Sequence, residues 1–172
     1  MTSGRTESRG HLTEPRQWLF GAATFKNLRE YPAFAASPDG GRMIGLPQRF
    51  FHYFTTDGLL RPLDHGTGII RFGYSISGDY IAVDSASGRV VLANAKTSSI
   101  SSVVNSSLAN FIDFLQVCES RYPYYADEGD LDDSIQAAEA LRNELASIDP
   151  AALEPGTYWS DFLSDVAIGD YT

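Results

Sequence analysis

The clearest change of hydrophobic period along the chain falls between residues 79 and 122. Val83, then Val90, Val91 and Leu92, lie in short runs rich in β-branched residues, separated by Ser85-Ala86-Ser87-Gly88, where Gly88 can take a positive φ. That spacing predicts a hairpin. After Val103-Val104 the apolar positions fall at Leu108, Phe111, Ile112, Leu115, Cys118 and Tyr122, the spacing of one helical face. Asn105 or Ser106 can cap this helix by accepting a hydrogen bond from a first-turn N–H. A second stripe, Phe114 and Val117, predicts that helix 107–122 is buried on more than one side.

The same reasoning gives four short strands at 67–74, 79–84, 88–94 and 99–104, with Ser77-Gly78-Asp79 as a further turn. Upstream, Phe50-Phe51-His52-Tyr53-Phe54 reads as a buried strand ending in the turn Thr55-Thr56-Asp57-Gly58, with an exposed sticky patch as the alternative. Downstream, Leu131, Ile135, Ala138, Leu141 and Leu145 define one apolar face of a helix over 131–147, which Pro150 stops. A last short helix near 159–168 would bury Trp159, Phe162, Leu163 and Val166. Strands followed by helices predict an α+β fold, an antiparallel-rich central sheet with helices packed on one side. Residues 1–14 lack any apolar period and read as a disordered tail before a single domain over 15–172. Between Pro15 and Gly40 both helix and strand remain open.

Charge sharpens this picture more than composition does. The net charge is −9, but residues 1–118 carry 11 basic and 9 acidic side chains, net +2, whereas residues 119–172 carry 13 acidic ones against Arg121 and Arg142, net −11. Such a C-terminal third repels phosphate backbones and attracts basic proteins, so a cationic protein is the expected partner and nucleic acid is not. No apolar run is long enough to span a bilayer and the N-terminus has no secretory h-region, which predicts a soluble cytoplasmic protein without a membrane partner. The one cysteine, Cys118, lies on an apolar stripe and has no partner for an internal disulfide; core packing is its first reading, a reactive thiol its second.

Little in the chain points to catalysis. His11, His52 and His65 are scattered and form no i, i+4 pair, so neither a zinc site nor any other metal or cofactor is expected. There is no G-x-S-x-G elbow, and Gly66-Thr67-Gly68 precedes a strand where a phosphate cradle must precede a helix. The acidic run Asp127-Glu128-Gly129-Asp130-Leu131-Asp132-Asp133 lacks the spacing of a calcium loop. Asp130 can cap the helix beginning near Leu131, with Asp132 and Asp133 facing the positive end of its dipole. The acids beyond those needed for capping are a solvated surface, a partner-binding face or, as the third reading, catalytic carboxylates. The candidates for such a face are Asp127, Glu128, Asp132, Asp133, Glu139, Glu144, Asp161 and Asp165.

A strand carrying Ile81-Ala82-Val83-Asp84, the strand opening at Gly88-Arg89-Val90 and the helix start Val104-Asn105-Ser106-Ser107-Leu108 with Phe111 stand in an order that resembles the SUKH superfamily of bacterial toxin-immunity proteins, most closely its fourth family. Gly45-Leu46-Pro47, the strand Ile69-Ile70-Arg71-Phe72-Gly73 and the tail Tyr158-Trp159-Ser160-Asp161-Phe162-Leu163 with Gly169 are similar to further motifs of that family, over roughly residues 40–170. The resemblance implies a SUKH-like single domain that catalyses nothing. It would bind and neutralise a cognate polymorphic toxin encoded beside it, often a nuclease or nucleic-acid deaminase. A non-catalytic scaffold or regulatory adaptor of the same fold is the alternative, and a small-molecule hydrolase or ligand-binding domain the third. Oligomeric state stays open.

Overall fold

The computed structural model describes residues 49–55, 61–63, 68–126 and 131–171. The tail 1–14, the segment 15–40, Gly45-Leu46-Pro47, Gly66-Thr67, His11, His65 and the acids Asp127, Glu128 and Asp130 lie outside these residues.

Among the described residues seven strands form one antiparallel sheet: β1 (Arg49–Phe50), β2 (Phe54–Thr55), β3 (Arg61–Pro62), β4 (Ile69–Ser75), β5 (Tyr80–Asp84), β6 (Val90–Ala93) and β7 (Ile100–Asn105). Their order is β1-β2-β4-β5-β6-β7, and β3 shares the β4 edge with β2. Three helices follow among the described residues, α1 (Leu108–Arg121), α2 (Leu131–Ala146) and α3 (Tyr158–Ala167), with a 3-10 helix at Pro150–Leu153 between the last two. The chain is α+β.

Period-two strands and local turn chemistry build the sheet. At the β5–β6 turn Asp84 accepts hydrogen bonds from the Ala86 N–H at 3.0 Å and from the Ser87 hydroxyl at 2.6 Å, while Gly88 sits at φ 77°. Register pairs Ile81 with Leu92 and Val83 with Val90, which puts these four side chains on one face of the sheet. On β4 the register shifts between Arg71 and Gly73, and a Cβ at Gly73 would lie 2.2 Å from the Phe54 ring. Only glycine lets Phe54 lie across the strand at that point.

Every described helix buries residues in the core on that face: Phe111, Phe114, Leu115 and Cys118 from α1, Ala138, Leu141 and Leu145 from α2, and Tyr158, Trp159, Phe162, Leu163 and Val166 from α3. Trp159 is the hub, within 6.0 Å, centroid to centroid, of the rings of Phe50, Phe111, Phe114, Tyr158 and Phe162. The opposite face carries a smaller cluster, Ile69, Ala82, Val91 and Ala93, with Leu63 and Tyr80 packed against it. Both stripes of α1 are at least half-buried, as two-sided packing requires.

Three expectations are corrected. The aromatic run is a tight hairpin, β1 and β2 joined through Phe51–Tyr53, in which the Tyr53 N–H bonds to the Phe50 carbonyl at 3.1 Å and Phe51 takes φ 46°. With five aromatics in succession, no alternation was left to mark the turn. The cap of α1 is Ser107, whose hydroxyl accepts from the Asn110 N–H at 3.1 Å, because Asn105 and Ser106 are engaged elsewhere. On α2, Leu131 and Ile135 are exposed, and Ser134 is the buried residue of the first turn.

Candidate functional site

A buried polar network ties the edge strand to the helices. Asp149 is buried between β7 and the 3-10 helix. It accepts from the Ser106 N–H at 2.7 Å, the Ser106 hydroxyl at 2.8 Å and the Asn105 side-chain amide at 3.2 Å. Asn105 in turn accepts from Trp159 Nε1 at 2.7 Å. Burial pushes the Asp149 carboxyl up, but these donors, together with Asn110, outweigh it and hold the group below the usual carboxylate range. Asn105, Ser106 and Trp159 all belong to the motifs that carry the family resemblance. Their partner Asp149 had no local signal, since it is 43 residues from Ser106.

The second cluster joins the aromatic hairpin to α3. The Tyr53 hydroxyl donates to Asp165 Oδ2, and His52 Nε2 lies 3.8 Å from the same oxygen and 3.3 Å from the Tyr171 hydroxyl. The His52 ring stacks on Tyr171 with an interplanar angle of 5°. Burial first, then the hydrogen bond to Asp165, pushes the Tyr53 phenol far up; burial and the nearby Asp165 and Asp170 do the same to Tyr171. As arranged, the four side chains fasten the hairpin to α3. None of the bonds and contacts to His52 given above involves a serine hydroxyl or the thiol, and no group of three metal-ligating side chains comes together among the described residues.

The candidate acids are spread along two neighbouring helices. Asp132 and Asp133 are exposed in the first turn of α2, Glu139 is exposed two turns further on, and Asp161 is exposed in the first turn of α3. Two others are already engaged: Glu144 is held by Arg121, with nitrogen–oxygen distances of 2.8 and 2.7 Å, and Asp165 is bonded by Tyr53. The antiparallel packing of α2 on α3 sets Asp132, Glu139 and Asp161 on neighbouring helices. Ser134, early in α2, donates to the carbonyl of Ala167 at the end of α3 at 2.7 Å, while Arg142, late in α2, reaches the Leu153 carbonyl ahead of α3 at 3.2 Å. Residues 131–171 carry nine carboxylates and one cationic side chain, Arg142, although Glu144 is paired with Arg121 and Asp149 is buried. Such an arrangement can bind a cation-rich surface.

The model of the SUKH-4 immunity protein family matches residues 17–165. The chain belongs to that family. Neither a curated protein nor a solved structure matches it. For a SUKH-4 chain the motif residues have a structural meaning: Asn105, Ser106 and Trp159 are fold determinants that seat the helices on the sheet. No helix among the described residues is long and apolar enough to cross a membrane.

Proposed function

We propose that this chain is a non-catalytic immunity protein that binds a cognate toxin in the cytoplasm and neutralises it, with the acidic face of α2 and α3 as the contact. The family match over residues 17–165 is the observation that carries the reading. The charge distribution supports it. A toxin that acts on nucleic acid, as a nuclease or a deaminase, needs a basic substrate groove, and a field of carboxylates can occupy such a groove in place of phosphates. Opposite charge also speeds encounter, which suits a protein that must capture a toxin before it acts. Asp132, Asp133, Glu139 and Asp161 form the exposed described part of this face, and Asp127 and Glu128 extend it in sequence.

The test is titration of the purified chain against the toxin domain encoded beside its gene. Toxin activity should fall linearly and reach zero at one equivalent, with an isolable complex. Neutralisation at substoichiometric amounts would mean that the chain processes the toxin or its product and would overturn the non-catalytic reading. Absence of any complex would overturn the immunity reading.

A further inference from the structure

The acids of α2 and α3 are arranged around an apolar patch that the core does not use. Leu131 is 60% exposed, Ile135 39% and Ile168 64%. Leu131 and Ile135 are one turn apart on α2, and Ile168 directly follows Ala167, whose carbonyl is bonded by Ser134, the neighbour of Ile135. The three aliphatic side chains therefore belong to one seam between the antiparallel helices. Asp161 shares the solvent-side stripe of α3 with Ile168, seven residues on, and Glu139 follows Ile135 by one turn on α2. Asp132 adjoins Leu131 and Asp170 lies two residues beyond Ile168.

An apolar centre with a charged rim is the anatomy of a protein interface, and exposed aliphatic side chains in a cluster call for a partner. We infer that Leu131, Ile135 and Ile168 are the anchor of the toxin-binding surface, taking an apolar side chain of a basic, amphipathic segment whose lysines and arginines meet Glu139, Asp161 and the neighbouring acids. The occupant follows from charge: the rim offers carboxylates with only Arg142 of opposite sign on these helices, so a second copy of the same acidic surface would be repelled. This inference rests on the immunity reading and deepens it by separating two jobs. The acids steer and the aliphatic centre holds.

The double variant Leu131→Gln, Ile168→Gln tests it beside a control, Ile76→Gln, at a side chain 66% exposed in the turn between β4 and β5. All three side chains face solvent, so each variant should melt like the parent. Against the neighbouring toxin domain, the double variant should dissociate faster and bind about 30-fold or more weakly, with its association rate and salt dependence unchanged. Ile76→Gln should bind like the parent. Equal affinity for parent and double variant, or an equal loss in the control, overturns the inference. If the toxin domain binds none of the proteins, the immunity reading fails, and an 18-residue leucine–lysine peptide with helical spacing decides the surface separately. Its binding to the parent, with loss only in the double variant, supports the patch; no binding, or binding indifferent to the variant, overturns it. A concentration-dependent dimer of the parent that the double variant abolishes would assign the patch to a second copy and also overturn it.

Discussion

Asp149 shows how a single side chain can hold several elements. Its two oxygens receive the Ser106 N–H and hydroxyl and the Asn105 amide, so β7, the start of α1 and the 3-10 helix meet on one carboxylate. Removing it in Asp149→Ala strands buried donors, and hydrogen bonds to a charged group are worth about 1.5–3 kcal/mol each, so urea unfolding should show a loss of about 3 kcal/mol. Because the folded carboxyl is held below its ordinary value of 3.8, the stabilisation is complete well above that value and is lost as pH falls through the lower folded one. Acid titration of stability should therefore be steeper in the parent than in Asp149→Ala. Cys118 makes a second residue-scale case. Its thiol is buried and burial pushes its pKa well up, so a thiolate-directed disulfide reagent should label it only as fast as the chain unfolds. Rapid labelling in native buffer would contradict its place in the core. The apolar stripe already carried that placement. The Asp149 network did not show in the sequence, because an aspartate before a proline has the same local appearance whether it is exposed or buried.

At the scale of elements, the legible parts were those in which one period repeats long enough to be counted. The four strands of the central meander and the three helices fall where alternation and the i, i+3, i+4 spacing place them, within a residue or two. The unreadable parts were those in which neighbouring side chains are chemically alike or in which a polar residue is satisfied inside. Phe50 to Phe54 folds back on itself although nothing in five aromatics marks a turn. Ser134 replaces Leu131 and Ile135 on the inner face of α2 because the single proton of its hydroxyl has the Leu131 and Ala167 carbonyls as alternative acceptors, at 2.9 and 2.7 Å. Helix α1 was legible on both stripes, and its burial gives a direct test: Leu115 is almost wholly buried, so Leu115→Ala should destabilise by about 2–5 kcal/mol through the cavity it leaves. A loss below about 1 kcal/mol would show that the α1 face is loosely packed.

For the whole molecule, the division of charge was plain in the sequence, whereas the state of each acid was not. Glu144 and Asp165 count as two charges in any composition, yet one is neutralised by Arg121 and the other accepts from Tyr53, a residue 112 positions away. Long-range contacts of that kind leave no periodic trace. They decide which reversals can test the proposed acidic face, because substituting Glu144 breaks an ion pair and substituting Asp165 unfastens the hairpin. Glu139 and Asp161 are exposed and carry neither burden, so Glu139→Lys should cost about 0.5 kcal/mol or less, and Asp161→Lys about 1 kcal/mol because it puts a cation in the first turn of α3. If the face steers a basic toxin, the double reversal should slow association several-fold and flatten its dependence on salt, since rim charges act on encounter more than on residence. Stopped-flow association between 0.05 and 0.5 M salt, about a threefold change in screening length, separates this from a local contact. Unchanged rates across that range would reduce the C-terminal acids to a solvated surface and leave the work of recognition to another part of the chain.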